Sequence, residues 1–119
     1  MLFGFHQRRK LKTLLQRPDI SDDEFLANIN LSDERARVAI HSFRLKLGEI
    51  YRIPPEKLYP DDSFRELLRL PNRGWDMLEI IFLLEEVLGV GIDVEQVPDW
   101  TNREVTLGTW ISELLLNLV

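Results

Sequence analysis

Between residues 36 and 51 the apolar side chains Ala36, Ala39, Ile40, Phe43, Leu47, Ile50 and Tyr51 recur three and four positions apart. That period puts them on one side of an α-helix and fits no strand, whose faces alternate every second residue. Ser32 is the expected N-cap, and Asp33 and Glu34 stand where a carboxylate favours the positive end of the helix dipole. Pro54 and Pro55 must end the helix, because proline donates no hydrogen bond and drives the residue before it out of helical geometry. The expectation is one long helix over about residues 33–52, buried along a single stripe, which needs other elements to cover it.

Those elements read as helices too. Residues 7–16 could form a short amphipathic helix with Leu11, Leu14 and Leu15 on one face, stopped by Pro18, but behave more often, as termini do, as a basic arm in solvent with a turn or two of helix. Ser21-Asp22-Asp23-Glu24 has the form of a capping box and predicts a helix to about Ile29. After a loop through Tyr59-Pro60-Asp61-Asp62, Asp62 or Ser63 caps a short helix to about Leu68, and Pro71-Asn72-Arg73-Gly74 breaks the chain again. From Trp75 to Leu88 the pattern predicts a helix with Leu78, Ile81, Phe82, Leu84 and Leu88 inward and Asp76, Glu79, Glu85 and Glu86 outward, closed by Gly89. Beyond Ile92 a short link carries Val97, Pro98 and Trp100, and Thr106 caps a last helix through Trp110, Ile111, Leu114, Leu115 and Leu118. With no strand pattern and no internal repeat, the expected class is all-α, a small helical bundle.

A chain of 119 residues fits one domain and is long enough to bury a core unaided. The absence of cysteine excludes disulfides, thiol catalysis and cysteine zinc sites, and makes the cytoplasm the expected compartment. No segment approaches the roughly 20 apolar residues of a membrane-spanning helix. Met-Leu-Phe-Gly-Phe is too short for a signal-peptide core, and its basic residues follow it instead of preceding it. The net charge of −5 conceals an asymmetry: Arg8, Arg9, Lys10, Lys12 and Arg17 have no acid among residues 1–17, which leaves −10 on the rest. An acidic body argues against nucleic-acid binding by that body.

Ile53-Pro-Pro-Glu-Lys-Leu-Tyr-Pro-Asp-Asp-Ser-Phe64 resembles the loop between the first two helices of acyl carrier proteins. The next landmark falls in order. Arg73-Gly74-Trp75-Asp76-Met77-Leu78-Glu79 sits where that family has Asp-Ser-Leu-Asp-x-Val-Glu, at a spacing from Phe64 two residues longer than usual. The helix then continues without a gap, with Glu79, Glu85 and Glu86 at the family's acidic positions and Ile80, Leu84, Leu88 and Ile92 at its core positions. Val105-Thr106-Leu107 with Trp110-Ile111 is similar to its threonine-capped last helix. The resemblance covers about residues 33–119. It implies an acyl-carrier-protein-like bundle over residues 31–119, with residues 1–30 as an N-terminal basic helical extension.

One departure is chemical. The carrier reaction needs a hydroxyl to attack coenzyme A, and Gly74 occupies the family's serine position. The resemblance therefore implies a member without phosphopantetheine and without any other cofactor. Arg73 and Trp75 replace the aspartate and leucine that flank the serine, giving a modifying enzyme the wrong charge and shape to read. Ser63, the nearest hydroxyl, matches a structural residue of the family and reads as a helix cap.

The remaining candidates divide between site and scaffold. Glu79, Glu85 and Glu86 are either a docking face, as the resemblance implies, or an ordinary solvated helix side. Trp75 and Asp76 stand at the tip of that helix; Trp75 is either an exposed anchor for a partner or a plug beside Gly74. Trp100, Trp110, Phe43, Phe64 and Phe82 are expected in the core. Neither His6 nor His41 has metal-ligand spacing, and Asp61, Asp62 and Glu66 read as caps and turn formers rather than a cation site. There is no phosphate loop, nucleophile elbow or histidine-centred triad, so enzyme is the weakest class.

Two functions follow as expectations. The first is a non-catalytic interaction module that docks a protein partner carrying a basic patch, such as an acyl-transfer or lipid-synthesis enzyme, through Trp75, Asp76, Glu79, Glu85 and Glu86. The second is peripheral membrane or nucleic-acid binding through residues 1–17, with the bundle as scaffold. A third, a working carrier modified at another residue, fails if the chain's mass is unchanged by a phosphopantetheinyl transferase.

Overall fold

The computed structural model describes residues 2–68, 77–97 and 105–118. Six α-helices occur among them: α1 (Leu2–Gln16), α2 (Asp22–Asn28), α3 (Glu34–Tyr51), α4 (Phe64–Leu68), α5 (Met77–Leu88) and α6 (Leu107–Asn117). Single 3-10 turns at Pro55–Lys57 and Val94–Gln96 complete the order. No strand forms among the described residues, only an isolated bridge between Ser63 and Thr106. The protein is an all-α helical bundle.

α3 is the central element and packs against α5, α2 and the first 3-10 turn. Its stripe is buried as the spacing predicts, from Ala36 through Ala39, Ile40, Phe43, Leu47 and Ile50 to Tyr51. The N-cap differs from expectation by one residue. Asp33, not Ser32, takes the extended cap conformation and accepts from the Ala36 amide at 2.6 Å. A carboxylate there adds its charge to the hydrogen bond at the positive end of the helix. At the other end Arg52 adopts the left-handed conformation, φ 58°, and the chain doubles back so that the Ile53 amide donates to the Gly48 carbonyl at 2.9 Å. That reversal requires glycine at 48, because a Cβ there would lie 2.7 Å from the Ile53 carbonyl oxygen and 3.2 Å from Pro55 Cγ.

The core gathers around three rings. Trp110 from α6 stacks on Phe43 with centroids 5.5 Å apart and meets Phe64 edge-on at 5.6 Å. α6 is set in place by Thr106, whose hydroxyl caps the Thr109 amide at 3.1 Å, and by backbone bonds from Leu107 and Gly108 to the Asp62 and Pro60 carbonyls. Ser63 caps α4 through the Glu66 amide, and so serves as the helix cap its sequence position predicts.

The N-terminal segment is joined to this core. α2 starts in the predicted capping box of Ser21 and Glu24, and it buries Phe25 and Leu26 in the same cluster as Phe43 and Trp110. Its first residue, Asp22, accepts from Arg44 Nη1 and pairs with His41 Nδ1, both at 2.8 Å. Arg44 is only 2% exposed; Nη2 donates to the Ile20 carbonyl, and the guanidinium lies 5.4 Å from the Phe25 ring centre.

Partial burial pushes the Asp22 carboxyl upward, but the hydrogen bonds from His41 and Arg44 and their positive charge outweigh it, and the group titrates below its ordinary 3.8. A carboxylate with a lowered folded-state pKa contributes stability that is complete above the unfolded value and lost as pH falls through the folded one. Thermal melts are therefore expected to show a pH-dependent loss below about pH 4 that Asp22→Asn reduces.

α1 is a continuous helix from Leu2, longer than the residues 7–16 expected, and Leu11 and Leu14 pack on the core. Its end is clamped. Arg17 pairs with Asp62 through both terminal nitrogens, donates Nε to the Lys57 carbonyl at 2.9 Å and lies 3.8 Å over the Tyr59 ring. Lys57 returns a bond to the Arg17 carbonyl and pairs with Asp19 at 2.7 Å, and Tyr59 donates its hydroxyl to the Pro18 carbonyl. Lys10 pairs with Glu66 of α4.

Candidate docking site

α5 holds the acidic positions singled out by the sequence. Its core side comprises Met77, Ile80, Ile81 and Leu84, with Leu88 packed at the margin and Ile92 buried just beyond. Gly89 ends the helix at φ +66°, and the Gly89 and Val90 amides both turn back to the Glu85 carbonyl. Glycine reaches that left-handed conformation without steric cost, as expected of this position.

Two residues expected inward face solvent instead: Leu78 is 42% exposed and Phe82 59%. At about 100° per residue, positions 77, 80, 81, 84 and 88 close an arc of roughly 100°, and position 82 falls far outside it. Hydrophobicity alone makes Phe82 a core candidate, yet the side of α5 that is buried carries Ile80, Ile81 and Leu84.

The three glutamates have different roles. Glu86 is exposed. Glu79 lies 3.6 Å from Lys46 of α3, an ion pair at the edge of the α3–α5 contact. Glu85 is half-buried, and its carboxylate accepts from the Ile92 amide at 2.8 Å, bracing the turn that follows the helix. Glu85 thus has a structural task that sequence reading missed, for which only a glutamate seven residues before a buried isoleucine gave any sign. Arg73, Gly74, Trp75, Asp76 and Trp100 lie outside the described residues.

The outer side of α5 therefore presents Leu78, Phe82 and Glu86 at successive four-residue steps, with Glu79 beside them. An apolar ridge edged by carboxylates suits a surface that supplies both a hydrophobic cleft and a positive charge.

The acidic loop is not arranged as a site. Asp62 accepts from the Tyr59 amide at 2.8 Å and holds Arg17, while Glu66 faces Lys10. Among the described residues no group of three histidine or carboxylate side chains is placed to hold a metal ion. A cleft of about 500 Å³ runs along Arg9, Lys10, Thr13, Leu14 and Arg17, and one of about 290 Å³ lies where Lys10 and Leu14 meet Ser63, Glu66 and Leu67. Among the described residues no helix is long and apolar enough to cross a membrane. Compared with family models, with curated proteins and with solved structures, the chain matches none.

Proposed function

We propose that this protein is an acyl-carrier-protein-like bundle that has lost carrier chemistry and acts in the cytoplasm as a non-catalytic interaction module. It docks a protein bearing a basic patch, an acyl-transfer or lipid-assembly enzyme, through the outer side of α5, and it regulates that enzyme. The observation that carries this reading is the exposure of Phe82 and Leu78 beside Glu86 and Glu79 on one side of α5. A folded protein gains nothing by leaving a phenylalanine more than half in water, whereas a binding surface gains an anchor. Glu85 leaves the proposed contact set, since its carboxylate is committed to the Ile92 amide. Trp75 and Asp76 remain in it as residues at the tip of the same segment.

The loss of carrier chemistry rests on Gly74, which has no oxygen to form a phosphodiester. Incubation with coenzyme A and a broad-specificity phosphopantetheinyl transferase, followed by intact mass measurement, is expected to leave the chain at its unmodified mass. An added phosphopantetheine on any residue contradicts the reading.

A second reading, binding to an anionic membrane or nucleic acid through α1, is favoured by one observation: Leu2–Gln16 is a continuous helix without a carboxylate. It stands behind the first because Lys10 and Arg17 are already paired with Glu66 and Asp62, leaving few cations for a polyanion. Each is worth only about 1 kcal/mol at a membrane surface.

A further inference from the structure

We infer that the outer face of α1 is an occupant of the α5 ridge on a second copy of this chain, so that two molecules pair by exchanging α1–α5 contacts. The inference rests on the reading of α5 as a docking surface and names the chemistry that fits it.

The α5 ridge calls for a partner with cations and some apolar area, in a shape that lies along a helix. α1 has these properties. Arg9, Lys12, Thr13 and Gln16 are exposed at steps of three and four, which puts them on one face, with the partly exposed Leu15 at its margin. No acid occurs anywhere in residues 1–17, against −10 on the rest of the chain. The two helices also match in length, roughly 22 Å for 15 residues and 18 Å for 12.

The clamp fixes which cations are offered. Lys10 and Arg17 hold α1 against α4 and the preceding loop, so Arg9 and Lys12 point outward on a helix that is already positioned. A preorganised face loses less entropy on binding than a free arm would. Because this face looks away from its own bundle, the α5 it can meet belongs to another molecule.

One helix lying on one helix buries less than the roughly 1,000 Å² a specific interface needs. A two-fold pair makes the contact twice, α1 of each copy on α5 of the other, and closes on itself; a head-to-tail arrangement would extend into filaments. Charge supplies much of the fit, so the pair is expected to weaken as salt shortens the Debye length to about 3 Å near 1 M.

Sedimentation equilibrium on the full chain tests this. At low salt the expected mass is twice the 14.0 kDa of one chain, falling toward 14.0 kDa near 1 M salt. Arg9→Glu with Lys12→Glu, and separately Glu79→Lys with Glu86→Lys, are each expected to give monomers with unchanged helical circular dichroism. Mixing these two variants in equal amounts is expected to restore the two-chain species, because each α1 then meets an α5 of opposite charge, one contact reversed and the other as in the wild type. Phe82→Ser with Glu86→Lys, which leaves the Glu79–Lys46 pair alone, is expected to be monomeric as well and guards against a folding defect. A wild-type chain that is monomeric at low salt overturns the proposal, as does a dimer that survives the charge reversals or a mixture that stays monomeric. Binding of the wild-type monomer to anionic vesicles or RNA through Arg9 and Lys12 likewise overturns it. Loss of a foreign partner from the α5 variant, with a monomeric wild type, defeats this inference and leaves the docking reading standing.

Discussion

Trp110→Ala is expected to cost about 4 kcal/mol, the largest loss from truncating any one of the described apolar side chains. The indole is fully buried between Phe43 and Phe64 and links α6 to the central helix. Removing it forfeits the transfer energy of the ring, leaves a cavity that rigid neighbours cannot collapse, and ends both aromatic contacts. Against a total stability of about 5–15 kcal/mol that is a large share, and for a chain of this length it corresponds to a fall in Tm of about 15 °C. Phe82→Ala serves as the control. The two rings are similar in kind, but Phe82 is largely in water, so its removal is expected to change stability by no more than about 0.5 kcal/mol. Denaturant melts of the two variants measure both values.

The second large effect comes from Asp22 and depends on which partner is removed. Asp22→Ala strands the Arg44 guanidinium, buried to within 2% of full coverage, beside the Ile20 carbonyl and the face of Phe25. Arg44 Nε has no hydrogen-bond partner even in the intact protein. An uncompensated buried charge is expensive, and a loss of about 3 kcal/mol is expected. Arg44→Met removes the charge and keeps an unbranched stem in the same space. Asp22, being partly exposed, can then return to water, and the expected cost is below about 1 kcal/mol. The prediction is the inequality between the two variants, read from equilibrium unfolding near pH 7; equal losses would mean that the pair acts only through packing. Nearby surface pairs such as Arg37 with Asp23 are more exposed and are expected to contribute little.

Much of the architecture was legible because its signals are local. The stripe on α3, the Pro54-Pro55 stop, the Ser21–Glu24 box, the Gly89 terminus and the Thr106 cap each depend on a few adjacent residues, and each stands where the sequence put it. Misreadings arose where tertiary contacts decide. Hydrophobicity predicts Phe82 inward, although the arc closed by Ile80, Ile81 and Leu84 leaves it outside. The N-terminal clamp joins Arg17 to residues forty or more positions away, which no local pattern records. In the sequence Arg44 is one of several charges along α3, and its burial follows from α2 folding across it.

The candidate site was legible in part. Of the three glutamates that the sequence places on α5, Glu86 is exposed, Glu79 pairs with Lys46, and Glu85 braces the turn at Ile92, a contact that no local pattern records. Leu78 and Phe82, the apolar part of the proposed ridge, are expected inward from hydrophobicity and lie outward because the buried arc of α5 excludes them.

The most direct test of the central claim is quantitative capture of partners from the source cells by the wild-type protein and by Phe82→Ser with Glu86→Lys, beside Arg9→Gln with Lys12→Gln as the α1 control. The docking account predicts that acyl-transfer or lipid-assembly enzymes are recovered by the wild type and the α1 control and are lost from the α5 variant. Recovery unaffected by the α5 substitutions, or abolished only by those in α1, would contradict it.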